Sequence, residues 1–238
     1  MQVANQKDMR AAGSVKAGGI PPRLVAVIAS PADLARALRL RRAPDLFELR
    51  LDALLPSLGE LEEQLGALPA RFLITARHGR EGGHHDLSAA RRRRLLLRFL
   101  PRAAWVDLEL RSVTALRPVL QQAAQRGVRR IISVHEFTRT PEVARLREMA
   151  QAARAAGGDV FKLVTRTDTP AALQRLLEFA AFAQQQRLPF SAMGVGALGR
   201  TSRILLAQHG SVLHYAHLGT AMLPGQLSLP ELRRTLAR

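Results

Sequence analysis

The sequence contains no cysteine, and this absence excludes disulfide bonds and thiolate-bound metal sites. It also lacks any apolar run close to the roughly 18 residues that a membrane-spanning helix needs. The first 22 residues lack the apolar core of a secretory signal. We therefore expect a cytoplasmic protein with no membrane partner.

Tyrosine and tryptophan are nearly absent, with one residue of each, so the rings on which proteins stack nucleic-acid bases are poorly supplied. Acidic residues are also few, which gives a formal net charge of +17 at pH 7. A nucleic-acid-binding protein is one interpretation of that charge. The arginines are spread over the whole chain, however, apart from the run Arg91–Arg94, whose helix can place leucines on one face and arginines on the other. We favour a general preference for arginine and expect no nucleic-acid partner.

Lysine is scarce as well, since only three of the 36 basic residues are lysines: Lys7, Lys16 and Lys162. The first two belong to a polar N-terminal segment, residues 1–22, which we predict to be a disordered tail. Lys162 instead lies in the apolar run Gly157–Thr165, which predicts a buried strand. A guanidinium stays protonated, whereas a desolvated amine can lose its proton and attack a carbonyl. A snorkelling or ion-paired lysine is the alternative, and the surrounding residues must decide.

Strand-like and helix-like segments alternate from residue 23 to the end of the chain. Helix starts are indicated at Ser30-Pro31, Thr140-Pro141 and Thr169-Pro170, and helix ends at three glycines. Those glycines are Gly127, Gly157 and Gly210. The predicted strands are Leu24–Ala29, Leu46–Leu51, Arg71–Ala76, Ala104–Leu110, Arg130–Val134, Val160–Val164, Pro189–Met193 and Val212–Ala216.

This alternation predicts the class α/β and a single catalytic domain, residues 23–238, folded as a (β/α)8 TIM barrel. A doubly wound open sheet is the alternative, but no Gly-x-Gly-x-x-Gly turn follows the first strand.

Charged residues of several predicted strands share one face, because side chains alternate along a strand. Glu48, Arg50 and Asp52 lie on one such face, and Asp107 and Glu109 on another. Helices cover the outside of a barrel, so these groups point inward, where they must pair or serve a ligand. For Asp107 we favour a structural ion pair. Barrel enzymes place their active sites at the C-terminal ends of the strands, where we expect Glu48, Arg50, Arg77, Glu109, His135 and Lys162.

Two glycine-containing loops follow predicted strands. The first, Arg77–Asp86, has three histidines and two acids, but a metal site is disfavoured because a single flexible loop offers no rigid support for ligands. Its paired glycines suit a tight turn that places Glu81 near the barrel mouth. The second, Met193–Arg203, has three glycines and a Thr/Ser helix cap, which suits an anion. Arg203, in the first turn of that helix, could bind a carboxylate, and a phosphate is the comparable alternative.

A series of short motifs follows a fixed order between Leu24 and Gln226. They are Glu48-Leu-Arg50-Leu-Asp52, Thr75-Ala-Arg77, Glu81-Gly82-Gly83, Asp107-Leu-Glu109, Ser133-Val-His135-Glu-Phe137, Lys162, Met193-Gly194, Ser202-Arg203 and Pro224-Gly225-Gln226. In these motifs the chain resembles the type I 3-dehydroquinate dehydratases, the Schiff-base enzymes of the shikimate pathway. Each motif is modest by itself, but their common order along the chain is specific.

The resemblance implies a (β/α)8 barrel enzyme without metal or cofactor, often a homodimer, that acts on 3-dehydroquinate. It implies catalysis by an imine on Lys162, with His135 as general acid and base and Glu81 orienting the imidazole. It also implies a substrate site formed by Glu48, Arg50, Arg77, Met193, Arg203, which would hold the carboxylate, and Gln226, which lies on a closing loop.

Two departures from the family pattern bear on the substrate. Met222 stands where family members commonly have a serine, and a thioether cannot donate a hydrogen bond. The first strand, Val25–Ile28, also lacks the serine that many members carry there. A related Schiff-base lyase or aldolase acting on another keto acid is therefore an alternative, and a basic nucleic-acid-binding protein is a further one.

Overall fold

The computed structural model describes residues 20–237, so residues 1–19 of the predicted tail lie outside the described part. Its strands are β1 (Arg23–Ile28), β2 (Leu46–Arg50), β3 (Arg71–Thr75), β4 (Trp105–Glu109), β5 (Arg129–Glu136), β6 (Val160–Arg166), β7 (Phe190–Val195), β8 (Leu213–His217) and β9 (Leu227–Ser228). Its α-helices are α1 (Pro31–Leu38), α2 (Leu58–Gln64), α3 (Ala89–Phe99), α4 (Arg117–Gln125), α5 (Val143–Ala155), α6 (Pro170–Gln185), α7 (Gly199–Gln208) and α8 (Leu229–Leu236). No helix in this part of the chain is long and apolar enough to cross a membrane.

The strands form a parallel sheet in the order β7-β6-β5-β4-β3-β2-β1-β8-β9, which curls into a barrel. The edges β7 and β8 meet through a hydrogen bond from Val212 N to Phe190 O (2.9 Å) and one from Ser191 Oγ to Leu213 O (2.7 Å). Toward its C-terminal end β8 pairs with the two-residue strand β9 instead. The predicted (β/α)8 barrel is confirmed, and β9 was missed because two residues show no periodicity.

Three strands run two residues further than their apolar patterns predict. The strands β5, β6 and β7 end at Glu136, Arg166 and Val195, where the predictions ended at Val134, Val164 and Met193. The added residues include Glu136 and Arg166, which pair in register with Thr165 and Val195. A charged residue at a barrel rim keeps its ladder hydrogen bonds although it breaks the apolar pattern.

Two of the three predicted helix starts are confirmed. Ser30 Oγ accepts a hydrogen bond from Asp33 N (3.1 Å), and Thr169 Oγ1 accepts one from Ala172 N (3.2 Å). The start at Thr140 is wrong, because α5 begins only at Val143 and the Thr140 hydroxyl donates to Arg166 O at 2.7 Å. That hydroxyl joins the loops after β5 and β6 instead of capping a helix. The helix ends at Gly127, Gly157 and Gly210 are confirmed by left-handed φ angles of 67°, 87° and 86°.

The run Arg91–Arg94 lies on α3, but its arginines do not share one solvent-facing side. Arg92 is 1% exposed, donates to Ala76 O and Ser112 Oγ, and pairs with Glu109. The prediction that the arginines form a helix face of their own, opposite the leucines, is therefore wrong for Arg92. The reason is that Glu109, the last residue of β4, supplies a buried counterion beneath the helix.

Two apolar clusters build the fold, and together they place the polar site. The outer cluster fills the space between sheet and helices, with Phe179 of α6 packed edge-on against Phe161 and Phe190 at 5.8 and 5.7 Å between ring centroids. The inner cluster fills the barrel itself and includes Trp105 and Leu213 near the N-terminal ends of their strands. The charged residues of the strands lie further toward the C-terminal ends.

Candidate active site

A cavity of about 450 Å³ opens at the C-terminal end of the barrel. Its lining residues come from the inward faces of the strands and from the loops that follow them. They are Val27, Glu48, Arg50, Arg77, Glu81, Gly82, His84, His135, Phe137, Lys162, Val164, Met193, Arg203, Tyr215, Met222, Leu223 and Gln226. All nine predicted site residues line it: Lys162, His135, Glu81, Glu48, Arg50, Arg77, Arg203, Gln226 and Met193. Glu109 does not, since its carboxylate pairs with Arg92 below the loop.

The amine of Lys162 is buried among carboxylates in the middle of β6. Lys162 Nζ donates to Asp107 Oδ2 at 2.9 Å and lies 3.5 Å from Glu48 Oε1. The inward parity of Lys162 and Asp107 agrees with the sequence pattern, since Phe161 and Leu163 pack in the outer cluster. Burial opposes ionisation of Asp107, but the charges of Arg77 and Lys162 hold its pKa well below the ordinary value. The structural ion pair predicted for Asp107 is thus present, and its partners are Arg77 and Lys162.

Arg77 closes this buried network from the end of β3. Its guanidinium forms two hydrogen bonds with Asp107, at 2.8 and 3.1 Å, and another with Ser133 Oγ at 2.6 Å. Glu48 accepts a hydrogen bond from Thr75 Oγ1 at 2.8 Å, which leaves its second oxygen for other partners. Two cations and two carboxylates therefore lie together, so the charges of Lys162, Arg77, Asp107 and Glu48 balance in the low-dielectric interior.

The sequence's single tyrosine lies directly beneath the lysine. Lys162 Nζ is 3.9 Å from the centroid of the Tyr215 ring, a cation–π contact. Burial, with the nearby charges of Glu48 and Asp107, raises the pKa of Tyr215 well above its ordinary value, so the ring stays neutral. This contact was not predicted, although the inward parity of Tyr215 on β8 could have suggested it.

His135 faces the cavity with its ring held by Glu81. Glu81 Oε2 accepts a hydrogen bond from His135 N at 2.9 Å and lies 3.0 Å from His135 Nδ1. This arrangement leaves Nε2 as the ring nitrogen without a role in holding the ring. Burial, reinforced by the charges of Arg77 and Lys162, holds the pKa of His135 well below its ordinary value. The imidazole is therefore neutral and can accept a proton.

Glu81 is itself 5% exposed, and its acidity is shifted in the opposite direction. Burial raises the pKa of Glu81 to about 7, while Arg77 opposes and Glu109 reinforces that rise. Glu81 and His135 are thus a carboxyl group and an imidazole in direct contact, with the pKa of the acid raised and that of the imidazole lowered, and they form a coupled pair that can share a proton.

The loop that carries Glu81 is tied to β2. Arg50 forms a bidentate ion pair with Asp52 and donates to Gly82 O at 3.0 Å. Asp52 in turn accepts from the backbone N of Arg77 (3.0 Å) and of His84 (2.9 Å). Burial opposes the ionised form of Asp52, but Arg50 and these amide donors hold its pKa below the ordinary value. The tight turn predicted at the paired glycines is present. The backbone folds back so closely there that a Cβ at position 83 would lie 2.2 Å from Arg77 O, and a glycine avoids this clash.

The three histidines of this loop differ in their surroundings, and His84 lines the cavity. His78 Nδ1 accepts from Arg80 N at 3.0 Å, and His84 Nδ1 lies 3.7 Å from Asp52 Oδ2. His85 is exposed with a left-handed φ of 52°. Within residues 20–237, three or more metal-binding side chains of histidine or acid do not converge at any point.

Arg203 brings to the cavity a cation that forms no ion pair with any acid of residues 20–237. It is 8% exposed, and its weak partners are Met193 Sδ at 3.4 Å and Tyr215 O at 3.5 Å. Its Nε is buried without a hydrogen-bond partner among the described residues. Burial lowers the pKa of Arg203 to about 10, so it remains charged at neutral pH. A buried guanidinium with vacant donors is suited to bind an anion such as a carboxylate.

The predicted helix start before Arg203 is wrong by several residues. Helix α7 begins at Gly199, which places Arg203 in its second turn rather than its first. Ser202 is not a cap, since its hydroxyl donates to Gly199 O at 2.7 Å and accepts from Gly194 N at 2.9 Å. The hydroxyl thereby joins α7 to β7 and fixes the position of Arg203, its neighbour.

The segment Met222–Gln226 covers one edge of the cavity. Gln226 Oε1 accepts a hydrogen bond from Met222 N at 2.9 Å, so the segment folds back on itself. Gly225 has a left-handed φ of 84°, and a Cβ there would lie 2.8 Å from Gly199 Cα. Two glycines thus let this segment pack directly on the start of α7. Met222 is 39% exposed, and Val27, at the other departure from the family pattern, is 6% exposed.

A second groove, of about 590 Å³, lies between the loops after β5 and β6. Its charged lining includes Arg139, Arg145, Arg166 and Arg175, and it contains neither lysine nor histidine. Three of these arginines pair with exposed acids: Arg145 with Glu148, Arg166 with Asp168 and Arg175 with Glu142. This groove therefore lacks the amine and imidazole that distinguish the barrel cavity.

A (β/α)8 barrel with a buried lysine, a carboxylate-held histidine and a vacant arginine at its C-terminal mouth belongs to the class of barrel enzymes built for carbonyl chemistry. A sequence profile described as "Type I 3-dehydroquinase" matches residues 26–238. The chain therefore belongs to the type I 3-dehydroquinase family.

Individual relatives agree with this assignment. The chain is 33% identical over 191 residues to the 3-dehydroquinate dehydratase of Pyrococcus abyssi, covering 79% of this chain and 85% of that protein. It is 30% identical over 212 residues to that of Desulfotalea psychrophila, covering 87% and 92%. The crystal structure of 3-dehydroquinate dehydratase from Geobacillus kaustophilus superposes with a TM-score of 0.80 at 25% identity, covering 95% of this chain and 96% of that one.

Proposed function

We propose that this protein is a lyase that dehydrates 3-dehydroquinate to 3-dehydroshikimate through an imine on Lys162. The observation that carries the proposal is the convergence of Lys162, His135 and Arg203 on one cavity at the C-terminal mouth of the barrel. Membership of the type I 3-dehydroquinase family and the names of the aligned relatives support the substrate.

The reaction begins when the Lys162 ammonium gives a proton to His135 and the free amine attacks the substrate ketone. His135 returns that proton to the former carbonyl oxygen, which leaves as water, and a protonated imine is formed. This cation withdraws electrons and makes the adjacent C–H acidic. His135 Nε2 takes that proton, and the resulting enamine expels the hydroxyl group on the next carbon. The hydroxyl takes the proton from His135 and departs as water, and a further water hydrolyses the imine and releases the amine.

The remaining residues bind and orient in this proposal. Glu81 holds the imidazole through Nδ1, so that Nε2 faces the substrate. Arg203 pairs with the substrate carboxylate, to which its vacant donors are suited. Glu48, Arg50, Arg77, Met193 and Gln226 line the cavity and contact the substrate's hydroxyl groups or shape its binding site.

The direct test is reduction with borohydride during turnover of 3-dehydroquinate, followed by peptide mass spectrometry. Borohydride reduces an imine to a stable secondary amine, so we expect a substrate-sized adduct on Lys162 and dehydroshikimate absorbance in the unreduced sample. Lys162→Arg keeps the charge but cannot form the imine, so it should give neither signal. An adduct without dehydration would indicate a related Schiff-base lyase or aldolase with another keto acid as substrate. No adduct on folded protein would refute the mechanism.

We also propose that the protein acts as a homodimer in the cytoplasm, which the family resemblance supports. Light scattering coupled to size-exclusion chromatography should give twice the chain mass of 26.1 kDa. A monomer mass across the micromolar range would contradict this proposal.

We further infer that the net charge of +17 does not recruit nucleic acid, because the arginines are spread over the whole chain and the chain has only one Trp and one Tyr on which bases could stack. Fluorescence anisotropy with labelled DNA and RNA should show no binding at physiological salt. Tight binding that weakens steeply with salt would contradict the inference.

A further inference from the structure

Each oxygen of the Glu81 carboxylate has a separate partner. Oε2 faces His135, as described above, and Oε1 lies 3.1 Å from Arg111 Nε. The side chain of Glu81 is 5% exposed, whereas that of Arg111 is 46% exposed. The carboxylate is therefore held between a buried imidazole on one side and a half-exposed guanidinium on the other.

The backbone explains how Arg111 reaches this position. It lies in the short 3-10 helix Leu110–Ser112, which directly follows β4. The turn is anchored at both ends, because its last residue, Ser112, accepts a hydrogen bond at Oγ from Arg92, and the residue before it, Glu109, pairs with the same arginine. Arg111 is not among the residues that line the cavity.

We propose that Arg111 is a positioning residue, which holds the Glu81 carboxylate so that its other oxygen fixes the His135 ring with Nε2 toward the substrate. This inference rests on the proposed function, in which His135 transfers the proton. A carboxylate held on one side only can rotate about its last bond and release the imidazole. Contacts on both oxygens remove that freedom, and small errors in the direction of proton transfer are costly.

Arg111 also acts on the charge of Glu81. Burial and Glu109 favour the protonated acid, whereas Arg77 and Arg111 favour the carboxylate, and the pKa that results is about 7. The charged and titratable groups around Glu81 are Arg77 and Glu109 at the ends of β3 and β4, Arg111, His135 on β5, Arg92 on α3, and His78 and Arg80 on its own loop. Without Arg111 the carboxyl group should protonate at higher pH.

The test compares Arg111→Met and Arg111→Lys with the control Arg117→Met. Arg117 is an exposed arginine at the start of α4 and does not touch the cavity. For Arg111→Met we expect kcat to fall roughly tenfold with KM nearly unchanged, because orientation of the base is lost and substrate binding is not. The acid limb of the kcat/KM profile should move up by roughly half a pH unit, since a half-exposed cation is partly screened. Arg111→Lys should retain much of the wild-type kcat and of the wild-type pH profile, because it keeps a cation at this position. Arg117→Met should resemble the wild type in both measurements.

Nitrogen-15 NMR of the His135 ring provides a second measurement that does not depend on turnover. In the wild type we expect the tautomer with hydrogen on Nδ1, and in Arg111→Met a mixture of tautomers or a shifted titration. If the wild type did not turn over 3-dehydroquinate, the proposed function would fail while this measurement still decided the role of Arg111. Unchanged kcat, pH profile and ring tautomer in Arg111→Met would overturn the proposal.

Discussion

Lys162 Nζ and Arg77 Nη2 both contact the same oxygen of Asp107, Oδ2, at 2.9 and 2.8 Å. Two cations thus depend on one carboxylate in the barrel interior, where Asp107 is 1% exposed. The amine that we propose as nucleophile is therefore placed by an ion pair rather than by apolar packing. This relationship makes Asp107 a determinant of stability as well as of lysine position.

We predict that Asp107→Asn lowers the free energy of unfolding by about 3–5 kcal/mol, because it leaves two buried cations short of a counterion. The pKa of Asp107 is held well below its ordinary value in the folded state. The stabilisation of the folded state by the Asp107 carboxylate is therefore complete at pH values above its ordinary pKa of 3.8. It declines as the pH falls below that value. Urea unfolding at pH 7 and at pH 3 should show a smaller difference between the wild type and Asp107→Asn at the lower pH.

The control is Glu148→Gln, which breaks an ion pair whose side chains are 62% and 63% exposed and should change stability by less than about 1 kcal/mol. Equal effects of the two substitutions would contradict the prediction.

Glu81→Gln should lose activity but gain stability at alkaline pH. The pKa of Glu81 is raised from 4.5 to about 7 in the folded protein. The unfolded chain therefore ionises before the folded one, and the wild type loses stability as pH rises from 4.5 through 7. The glutamine variant lacks this loss, so at pH 8 it should be more stable than the wild type by about 2–3 kcal/mol. At pH 4 the two should be similar. Chemical unfolding across pH provides the measurement, and a glutamine variant that is less stable at pH 8 would refute the assigned pKa.

Arg203→Met should weaken substrate binding while it increases the stability of the folded protein. The pKa of Arg203 is lowered to about 10 by burial, so the folded protein pays a desolvation cost for this charge at every lower pH. We expect the methionine variant to be more stable by about 1–3 kcal/mol, and its KM for 3-dehydroquinate to rise roughly 100-fold.

The control is Arg200→Met on the same helix. Arg200 pairs with the partly exposed Glu231 at 3.2 Å. The KM of Arg200→Met should stay within about twofold of the wild type, since a surface pair contributes little. An unchanged KM in Arg203→Met would mean that another group binds the carboxylate.

Met222→Ser should strengthen substrate binding by restoring a hydroxyl donor at the edge of the cavity. One added hydrogen bond to a substrate hydroxyl is worth about 1 kcal/mol, which corresponds to a KM roughly fivefold lower. Leu236→Ser provides the matched control, because Leu236 is 37% exposed and Met222 is 39% exposed, but only Met222 lines the cavity. Both substitutions remove a similar exposed apolar side chain. Equal KM values in the two variants would show that Met222 does not mark a lost substrate contact.

The sequence predicted the main elements of the fold because those depend on short-range patterns. The eight barrel strands lie within a few residues of their predicted ranges, and the inward faces of Glu48 and Lys162 follow from strict alternation along a strand. Local capping chemistry was less reliable. Thr140 and Ser202 have the residue type of a helix cap, but their hydroxyls bond to Arg166 O and Gly199 O instead.

The candidate site was predicted as a set of residues but not as a set of contacts. All nine predicted residues line the cavity, whereas Tyr215 beneath Lys162, Arg92 beside Glu109 and Arg111 beside Glu81 were missed. The position of an arginine in the sequence gives no sign that a buried acid lies within its reach. These contacts depend on the distance between two elements, which no pattern within one element contains.

The order of strands and helices, the inward faces of the strands and the presence of a single lysine in residues 20–237 are properties of the sequence by itself. They follow from periodicity and composition, which act over a few neighbouring residues. Two pairings depend on the tertiary structure, because their partners are far apart in the sequence. Lys162 pairs with Asp107 across 55 residues, and Glu81 pairs with His135 across 54. Closure brings the ends of the parallel strands to one rim and removes water from between them. Burial then shifts the pKa values of these groups, and that shift gives the site its chemistry.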